Sequence, residues 1–440
     1  MSKEEKLSVD SSCCHARSRT RFIPHFASSC RFTSLKTHSL PAIHLPRGFT
    51  FSAAACGLKK NSELDLGLLV SEVPASAACV FTANRVQAAP VFVSRMHLRR
   101  SRHKMRGIIA NSGNANCATG TQGIAIAATT ALKTAWELGR YHPSQILVCS
   151  TGIIGVPLPW KRITDSIPYL AQKRSASVTA FGQFARSIMT TDTRPKWAAA
   201  NCILGARRVR LLGCAKGAGM IHPNMATMLA FIATDATIPP DVLRRALRDV
   251  AAKTFNAITV DGDTSTNDTL AILANGASGA PQIRNGSSDY RKFAAALETV
   301  CRSLALQIVE DGEGAHRLVE ILVQGAPSDK AAFRIARTIA NSPLVKTAIA
   351  GADPNWGRIL AAAGRAGVRF DPERVEISMG GIRMCSKGSA LPFNEHLAHK
   401  RLLREQVPIH VHLHSGKGTA RVWTCDLTED YVRINASYRS

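Results

Sequence analysis

Apolar residues recur along this chain with two spacings, and each spacing predicts its own kind of element. Leu66, Leu68 and Val70 alternate as strand residues do, and after Pro74 the small-residue run Ala75 to Asn84 predicts a second, closely packed strand. Ile108 to Ala110 predicts a third, and Gln145 to Cys149 a fourth that empties into Ser150, Thr151 and Gly152. The alanine-rich stretch Gly123 to Leu138 predicts a helix lying over a sheet, and Ile163 to Met189 a largely helical segment interrupted at Pro168 and Gly182. Val242, Leu243, Leu247 and Val250 share one face of a helix from Pro240 to Thr254. Phe293, Leu297, Val300, Leu304 and Ile308 form another core-facing stripe, reached through a surface linker at Gly276 to Ser288. Val319, Ile321 and Val323 give one more strand face, Ser328 can cap a helix through Ile339, and a Pro-Asn-Trp-Gly turn follows at 354–357. Near the end His410, His412 and His414 alternate with Ile409, Val411 and Leu413. Three histidines at period two could be a metal comb, yet the polar face of an amphipathic strand explains them more simply, and no metal is expected.

Strands and helices mixed in this way predict an α/β architecture with sheets covered by helices. A chain of 440 residues exceeds what one core usually supports, so two domains or two large lobes are expected. No apolar run approaches the roughly 20 residues of a membrane helix, and no membrane partner is expected. The 56 Lys and Arg against 31 Asp and Glu leave a formal charge of +25, a field that would draw polyanions. Those cations are scattered, however, and no RNA-binding signature or interleaved aromatic stripe accompanies them. No nucleic-acid partner is expected; solubility, or the attraction of an anionic substrate, accounts for the charge. The cysteines stand singly apart from Cys13 and Cys14, without any C-x-x-C, which is neither a zinc spacing nor a disulfide framework and fits a reducing, cytoplasmic setting. Residues 1–46, rich in Ser, Arg and His, show no sustained period and read as a disordered extension or an upstream start in the gene. A mitochondrial transit peptide is the alternative, against which Glu4, Glu5 and Asp10 argue.

The most chemical stretch runs from Ala215 to Ala236, AKGAGMIHPNMATMLAFIATDA. A lysine and glycine turn leads through His222, Pro223 and Asn224 to Ala226, Thr227 and a run that would be buried, Met228 to Ile232. A threonine hydroxyl is a poor nucleophile unless a base sits beside it, and a threonine at a chain terminus can use its own α-amine. Thr227 would acquire that amine only if the chain cut itself between Ala226 and Thr227. The hydroxyl would attack the preceding carbonyl in an N-to-O acyl shift, and water would cleave the ester. Chemistry alone also allows Thr227 to be an ordinary buried strand residue or a helix cap.

This stretch resembles the self-cleaving segment of the ornithine acetyltransferase family, also called glutamate N-acetyltransferase or ArgJ. Similar runs occur in the family's order at NSGNAN (Asn111 to Asn116), STGIIG (Ser150 to Gly155), TTDTRPK (Thr190 to Lys196), DGDTSTNDT (Asp261 to Thr269), DGEGA (Asp311 to Ala315), NSPLVKTAIAGADPNWGRI (Asn341 to Ile359) and YVRINASYRS (Tyr431 to Ser440). The resemblance implies an α/β self-cleaving fold of the kind shared by DmpA and ArgJ proteins, with mixed sheets covered by helices. An alpha fragment, 47–226, and a beta fragment, 227–440, would interleave and pair as a heterotetramer. It implies Thr227 as nucleophile, Thr151 and Gly152 as oxyanion hole, and Thr190, Lys216, Thr227, Glu313, Asn435 and Ser440 as substrate-binding residues. Which of Thr190, Thr191 and Thr193 meets the substrate stays open, with Thr190 preferred. Lys216 suits an α-carboxylate as a compact charge, and Glu313 a substrate ammonium or amine. Ser440 stands where the family more often has threonine, which keeps the hydroxyl.

The activity implied is transfer of acetyl from N2-acetylornithine to glutamate by a ping-pong route through acetyl-Thr227, as arginine biosynthesis uses. No cofactor is needed, because the acyl group moves through the protein itself. Some family members also accept acetyl-CoA, and nothing in this sequence decides that. A self-cleaving aminopeptidase or amidase is the alternative. The DGDTSTNDT run lacks the spacing of a calcium loop and reads as a hydrogen-bonded turn supporting the site.

Overall fold

The computed structural model describes residues 44–60, 62–222 and 228–437. Ala226, Thr227 and Ser440 therefore lie outside the described residues, as does the extension expected at 1–46 except for its last three. Of those three, Leu45 packs against the core and Pro46 is buried.

The first part of the chain runs β1 (Phe49–Ala54), β2 (Leu66–Phe81), α1 (Ala89–Arg100), β3 (Lys104–Asn111), α2 (Gly120–Glu137), β4 (Ile146–Ser150), α3 (Trp160–Lys173) and α4 (Val178–Ser187). Then come β5 (Lys196–Leu204), β6 (Arg207–Lys216), β7 (Leu229–Thr234), α5 (Pro240–Lys253), β8 (Thr269–Ala274) and α6 (Ser288–Glu310). Among the described residues their strands form an eight-stranded sheet in the order β4-β3-β2-β8-β7-β6-β5, with β1 paired to β2. Pairing is mixed: β3 with β4 and β7 with β8 are parallel, and the other pairs are antiparallel. Strands β7 and β8 follow residue 227 yet lie between β2 and β6, which precede it. The two sides of the expected cut are thus interleaved in one sheet. Every residue of β7 is buried, as an apolar strand flanked by strands and covered on both faces should be.

The second part runs β9 (Leu318–Ala326), α7 (Asp329–Ala340), α8 (Pro343–Ala350), α9 (Trp356–Gly364), β10 (Glu376–Met379), β11 (Ile382–Ser386), β12 (Ser389–Ala390), α10 (Glu395–Leu402), β13 (Gln406–His412), β14 (Gly418–Cys425) and α11 (Glu429–Ser437). Among the described residues its strands make a six-stranded sheet, β12-β11-β10-β13-β9-β14. The expected α/β fold of mixed sheets covered by helices is what the chain adopts.

Packing follows the apolar periods. Helices α5 and α6 put Leu243, Leu247, Leu297, Val300 and Leu304 against Leu211, Ile232 and Ile272 on one face of the large sheet. On the other face Phe181 and Phe184 of α4 meet Phe51 and Phe231, with ring centroids 5.2 Å apart for Phe51 and Phe181. Burying each such ring contributes about 1.5–3 kcal/mol. Trp423 of β14 and Leu318 of β9 join the core beneath α6, which ties the second sheet to the first.

Three expectations change. The two strands expected around Pro74 are one, β2, whose pairing with β3 jumps from Val70↔Gly107 to Ala75↔Met105. Pro74 sits in that exposed interruption, where no ladder hydrogen bond is asked of it. Neither Pro168 nor Gly182 breaks a helix: Pro168 lies on the exposed side of α3, where water can take the carbonyl left without its partner. The break falls instead at 174–177, where Ser175 pairs with Phe51 and the Ser177 hydroxyl accepts the Ala180 amide hydrogen at 3.1 Å to start α4. The stretch Gly276 to Ser288 is not merely a surface linker, since Ala280 and Ile283 are buried and the Ile283 amide bonds to Thr237. Of the three histidines, His410 and His412 end β13, and His410 bonds to Gln324.

Candidate active site

Strand β7 begins one residue beyond Met228, which is itself buried. The Met228 amide donates to Asp268 Oδ1 at 3.0 Å, and its carbonyl accepts from Thr269. Upstream of the expected cut, Asp261 accepts the amide hydrogens of Met220 at 2.5 Å and Ile221 at 2.9 Å. The Ile221 carbonyl accepts from the Val260 amide and the Thr259 hydroxyl. Both flanks of residues 223–227 are therefore held by one stretch, 259–269. The turn expected of DGDTSTNDT is there, and its two outer acids grip the main chain on either side of the segment that contains Thr227. Burial pushes the Asp261 carboxyl above the usual carboxylate range, against the pull of the amides it accepts.

The same stretch reaches the loop after β4. Asn267 Nδ2 donates to the carbonyls of Ser150 at 2.8 Å and Ala115 at 2.7 Å. Thr151 is buried, and its amide is spent on the Asn111 carbonyl at 3.0 Å. The Gly152 amide takes no backbone partner among the described residues. Gly152 has φ +128°, and a β-carbon there would lie 2.3 Å from the Gly113 carbonyl carbon, so only glycine fits. A hydroxyl and an amide on successive residues can both point at one oxygen, which is the arrangement an oxyanion hole needs.

Charged groups gather on the third side. Lys216, at the end of β6, is buried and its Nζ lies 3.1 Å from Thr190 Oγ1. Burial lowers the Lys216 pKa, with Asp192 and Asp268 opposing and Lys196 assisting. Asp192 accepts from the amides of Thr190 at 2.9 Å and Gly217 at 2.7 Å and from Lys196 Nζ at 2.5 Å. Lys196 also pairs with Asp311, which holds the Thr193 hydroxyl. Burial alone would raise the Asp192 pKa, but Lys196, Lys216 and the Gly217 amide together hold it below the ordinary value. This buried cluster fixes the Thr190 loop, the Lys216 turn and the DGEGA loop relative to one another. It also separates the threonines: Thr193 is engaged by Asp311, and Thr190 is the one beside Lys216.

Glu313 projects over the turn after Lys216. Its amide donates to the Ala218 carbonyl at 2.9 Å, and its Oε2 accepts from Asn435 Nδ2 at 2.8 Å. Helix α11 thus brings Asn435 to this place. Of the candidate residues, Lys216, Thr190, Glu313 and Asn435 converge here, and Thr151 and Gly152 connect to them through Asn267, Asp268 and Met228. Asp192, Lys196, Asp261, Asn267, Asp268 and Asp311 are not among the residues that the resemblance implies at the site. Their signal in the sequence is their place inside the polar runs that carry the resemblance.

The ArgJ family model matches residues 50–440 of the chain. The arginine biosynthesis bifunctional protein ArgJ of Symbiobacterium thermophilum is 47% identical over 397 residues, covering 90% of this chain and 98% of its own. The protein of the same name from Geobacter sulfurreducens is 47% identical over 395 residues, covering 90% and 99%. Among solved structures, ArgJ from Bacillus halodurans is 45% identical, covers 47% of this chain and 98% of that one, and has a TM-score of 0.46.

Proposed function

The chain belongs to the ArgJ family, and from that premise we propose that it is a self-cleaving acetyltransferase moving acetyl from N2-acetylornithine to glutamate for arginine biosynthesis. The observation that carries the reading is the placement of opposite charges around the turn 217–219: buried Lys216 beside Thr190, and Glu313 beside Asn435. A cation and a carboxylate so arranged suit the carboxylate and the ammonium of one amino-acid substrate.

The chain cuts itself between Ala226 and Thr227 into fragments 47–226 and 227–440, carrying any preceding residues with the first. The freed α-amine of Thr227 takes the proton of its own hydroxyl as the oxygen attacks the acetyl carbonyl of N2-acetylornithine. The Thr151 hydroxyl and the Gly152 amide hold the oxyanion. The C–N bond then breaks, the α-ammonium of Thr227 returns the proton to the leaving nitrogen, and ornithine departs. The amine of glutamate attacks the acetyl ester, the C–O bond to Thr227 breaks as the α-amine carries the amine's proton to the departing oxygen, and N-acetylglutamate leaves with the hydroxyl restored. Thr190, Lys216, Glu313, Asn435 and Ser440 hold the substrates. Two copies of each fragment assemble as a heterotetramer in the cytoplasm. The relatives' name calls them bifunctional, and acetyl-CoA as a second acetyl donor accords with that.

Intact mass of the denatured protein tests the cut: two species should sum to the full chain plus one water, the second beginning Thr-Met-Leu-Ala-Phe. Acetyl transfer to glutamate without net acetate tests the reaction. Release of acetate to water would favour an amidase instead.

A further inference from the structure

Helix α11 carries Asn435 to Glu313, yet it has no fully buried side chain to keep it there. Short helices in proteins are held mainly by the packing of an apolar face, so polar contacts must fix this one. The Thr428 hydroxyl donates to the Gly314 carbonyl at 2.7 Å, and Asp430 faces His316 at 3.8 Å, but both anchor only the start of the helix. Tyr431 is the anchor one turn before Asn435. The two residues share a helix face, and Asn435 Nδ2 donates to the Tyr431 carbonyl at 3.0 Å as well as to Glu313. The Tyr431 hydroxyl donates in turn to Asp261 Oδ2 at 3.4 Å, the carboxyl that holds the amides of Met220 and Ile221. Burial raises the Tyr431 pKa, and the acids Asp261, Glu313 and Asp263 raise it further, so the hydroxyl keeps its proton and remains a donor. Gly314 lets the two segments meet this closely: its φ is +69°, and a β-carbon there would lie 2.5 Å from the Tyr431 amide nitrogen.

We propose that Tyr431 is a positioning residue of the substrate site, whose hydrogen bond to Asp261 docks α11 so that Asn435 holds Glu313 toward the side-chain ammonium of the substrate. The inference rests on the reading of Glu313 as the partner of that ammonium. Without the hydroxyl, α11 loses its tie to the segment 220–221, Asn435 leaves Glu313 more often, and the carboxylate is no longer held in one place. The loss falls on a substrate that carries a side-chain ammonium and spares a compound that lacks one.

The test uses the cut protein and compares wild type with Tyr431→Phe, which keeps the ring, and with Glu313→Gln, Asn435→Ala and the double variant of Tyr431 and Asn435. Steady-state kinetics give KM for N2-acetylornithine, and competition gives the inhibition constant of N2-acetylnorvaline, the same molecule without its side-chain amine. Tyr431→Phe should raise KM about fivefold, as loss of one hydrogen bond does, with kcat, the melting temperature and the inhibition constant little changed. Added to Asn435→Ala it should change KM by less than about twofold, because the two residues act through one contact. An unchanged KM in Tyr431→Phe would overturn the inference. So would an equal loss for the two compounds, or a full fivefold loss on top of Asn435→Ala, since a general loosening of the fold would do either. If Glu313→Gln raises KM while Tyr431→Phe does not, the role of Tyr431 falls and the reading of Glu313 stands. A KM that Glu313→Gln leaves unchanged removes both together.

Discussion

The Glu313 carboxylate lies against Gly219 so closely that a β-carbon at residue 219 would come within 2.3 Å of Glu313 Oε2. Glycine there gives the acid its position, and Asn435 holds it from the other side. Gly219→Ala should therefore displace the carboxylate without touching the core. The expected result is a rise in KM of about tenfold, worth about 1.4 kcal/mol of substrate binding, with kcat and the melting temperature changed much less. Steady-state kinetics with N2-acetylornithine checks it, and an unchanged KM would remove Glu313 from the substrate's contacts.

Thr151→Val keeps the shape of a buried side chain and the amide bond to Asn111 while removing one hydroxyl. If that hydroxyl faces the oxyanion, kcat should fall about 10²–10³-fold with KM little altered. Single-turnover acetylation of Thr227, read by mass, isolates the step. A loss confined to KM would instead make Thr151 a ground-state contact.

Lys196 is buried between Asp192 and Asp311. Lys196→Met would leave two carboxylates together out of water, and a loss of about 3–5 kcal/mol is expected in denaturant unfolding. Asp192 supplies a pH test of the same cluster. Its folded pKa is held below the ordinary 3.8, so its contribution to stability is present above that value and drains away as pH falls through the lower folded one. The wild-type melting temperature should drop below about pH 4, and Asp192→Asn, already less stable at neutral pH, should lack that part of the slope.

Lys216 must be charged to hold a carboxylate, and burial brings its pKa below the ordinary 10.5. KM for glutamate should therefore rise with pH earlier than an exposed lysine would make it, as the proton is lost. Lys216→Met should show a high KM at every pH and no such rise. A parallel pH profile for wild type and Lys216→Met would assign the titration to another group.

Much of this architecture is legible along the chain. Helices α5 and α6 are announced by apolar residues whose spacing repeats within a few positions, and the run Met228 to Ile232, expected to be buried, is buried as Met228 and the start of β7. Two local rules mislead. Pro168 and Pro74 read as breaks, yet each occupies an exposed place where the missing N–H costs little, and that exposure is set by what packs on the opposite side.

What the sequence by itself determined is the elements with a clear apolar period, such as α5 and α6, the polar stretches near them and, through resemblance, the threonine around which the chemistry is proposed. Tertiary structure alone decided which polar residues meet. Lys196 and Asp311 stand 115 positions apart, and Asn267 reaches back 117 positions to the Ser150 carbonyl. Neither pairing has a period or spacing to betray it. The physical reason lies in range: periodicity reports how a short segment divides between core and solvent, whereas a buried charge or amide is satisfied by whichever distant segment the sheet order brings beside it. Strands β7 and β8, inserted between β2 and β6, bring Asp268 to the amide of Met228, and no local pattern could have placed it there.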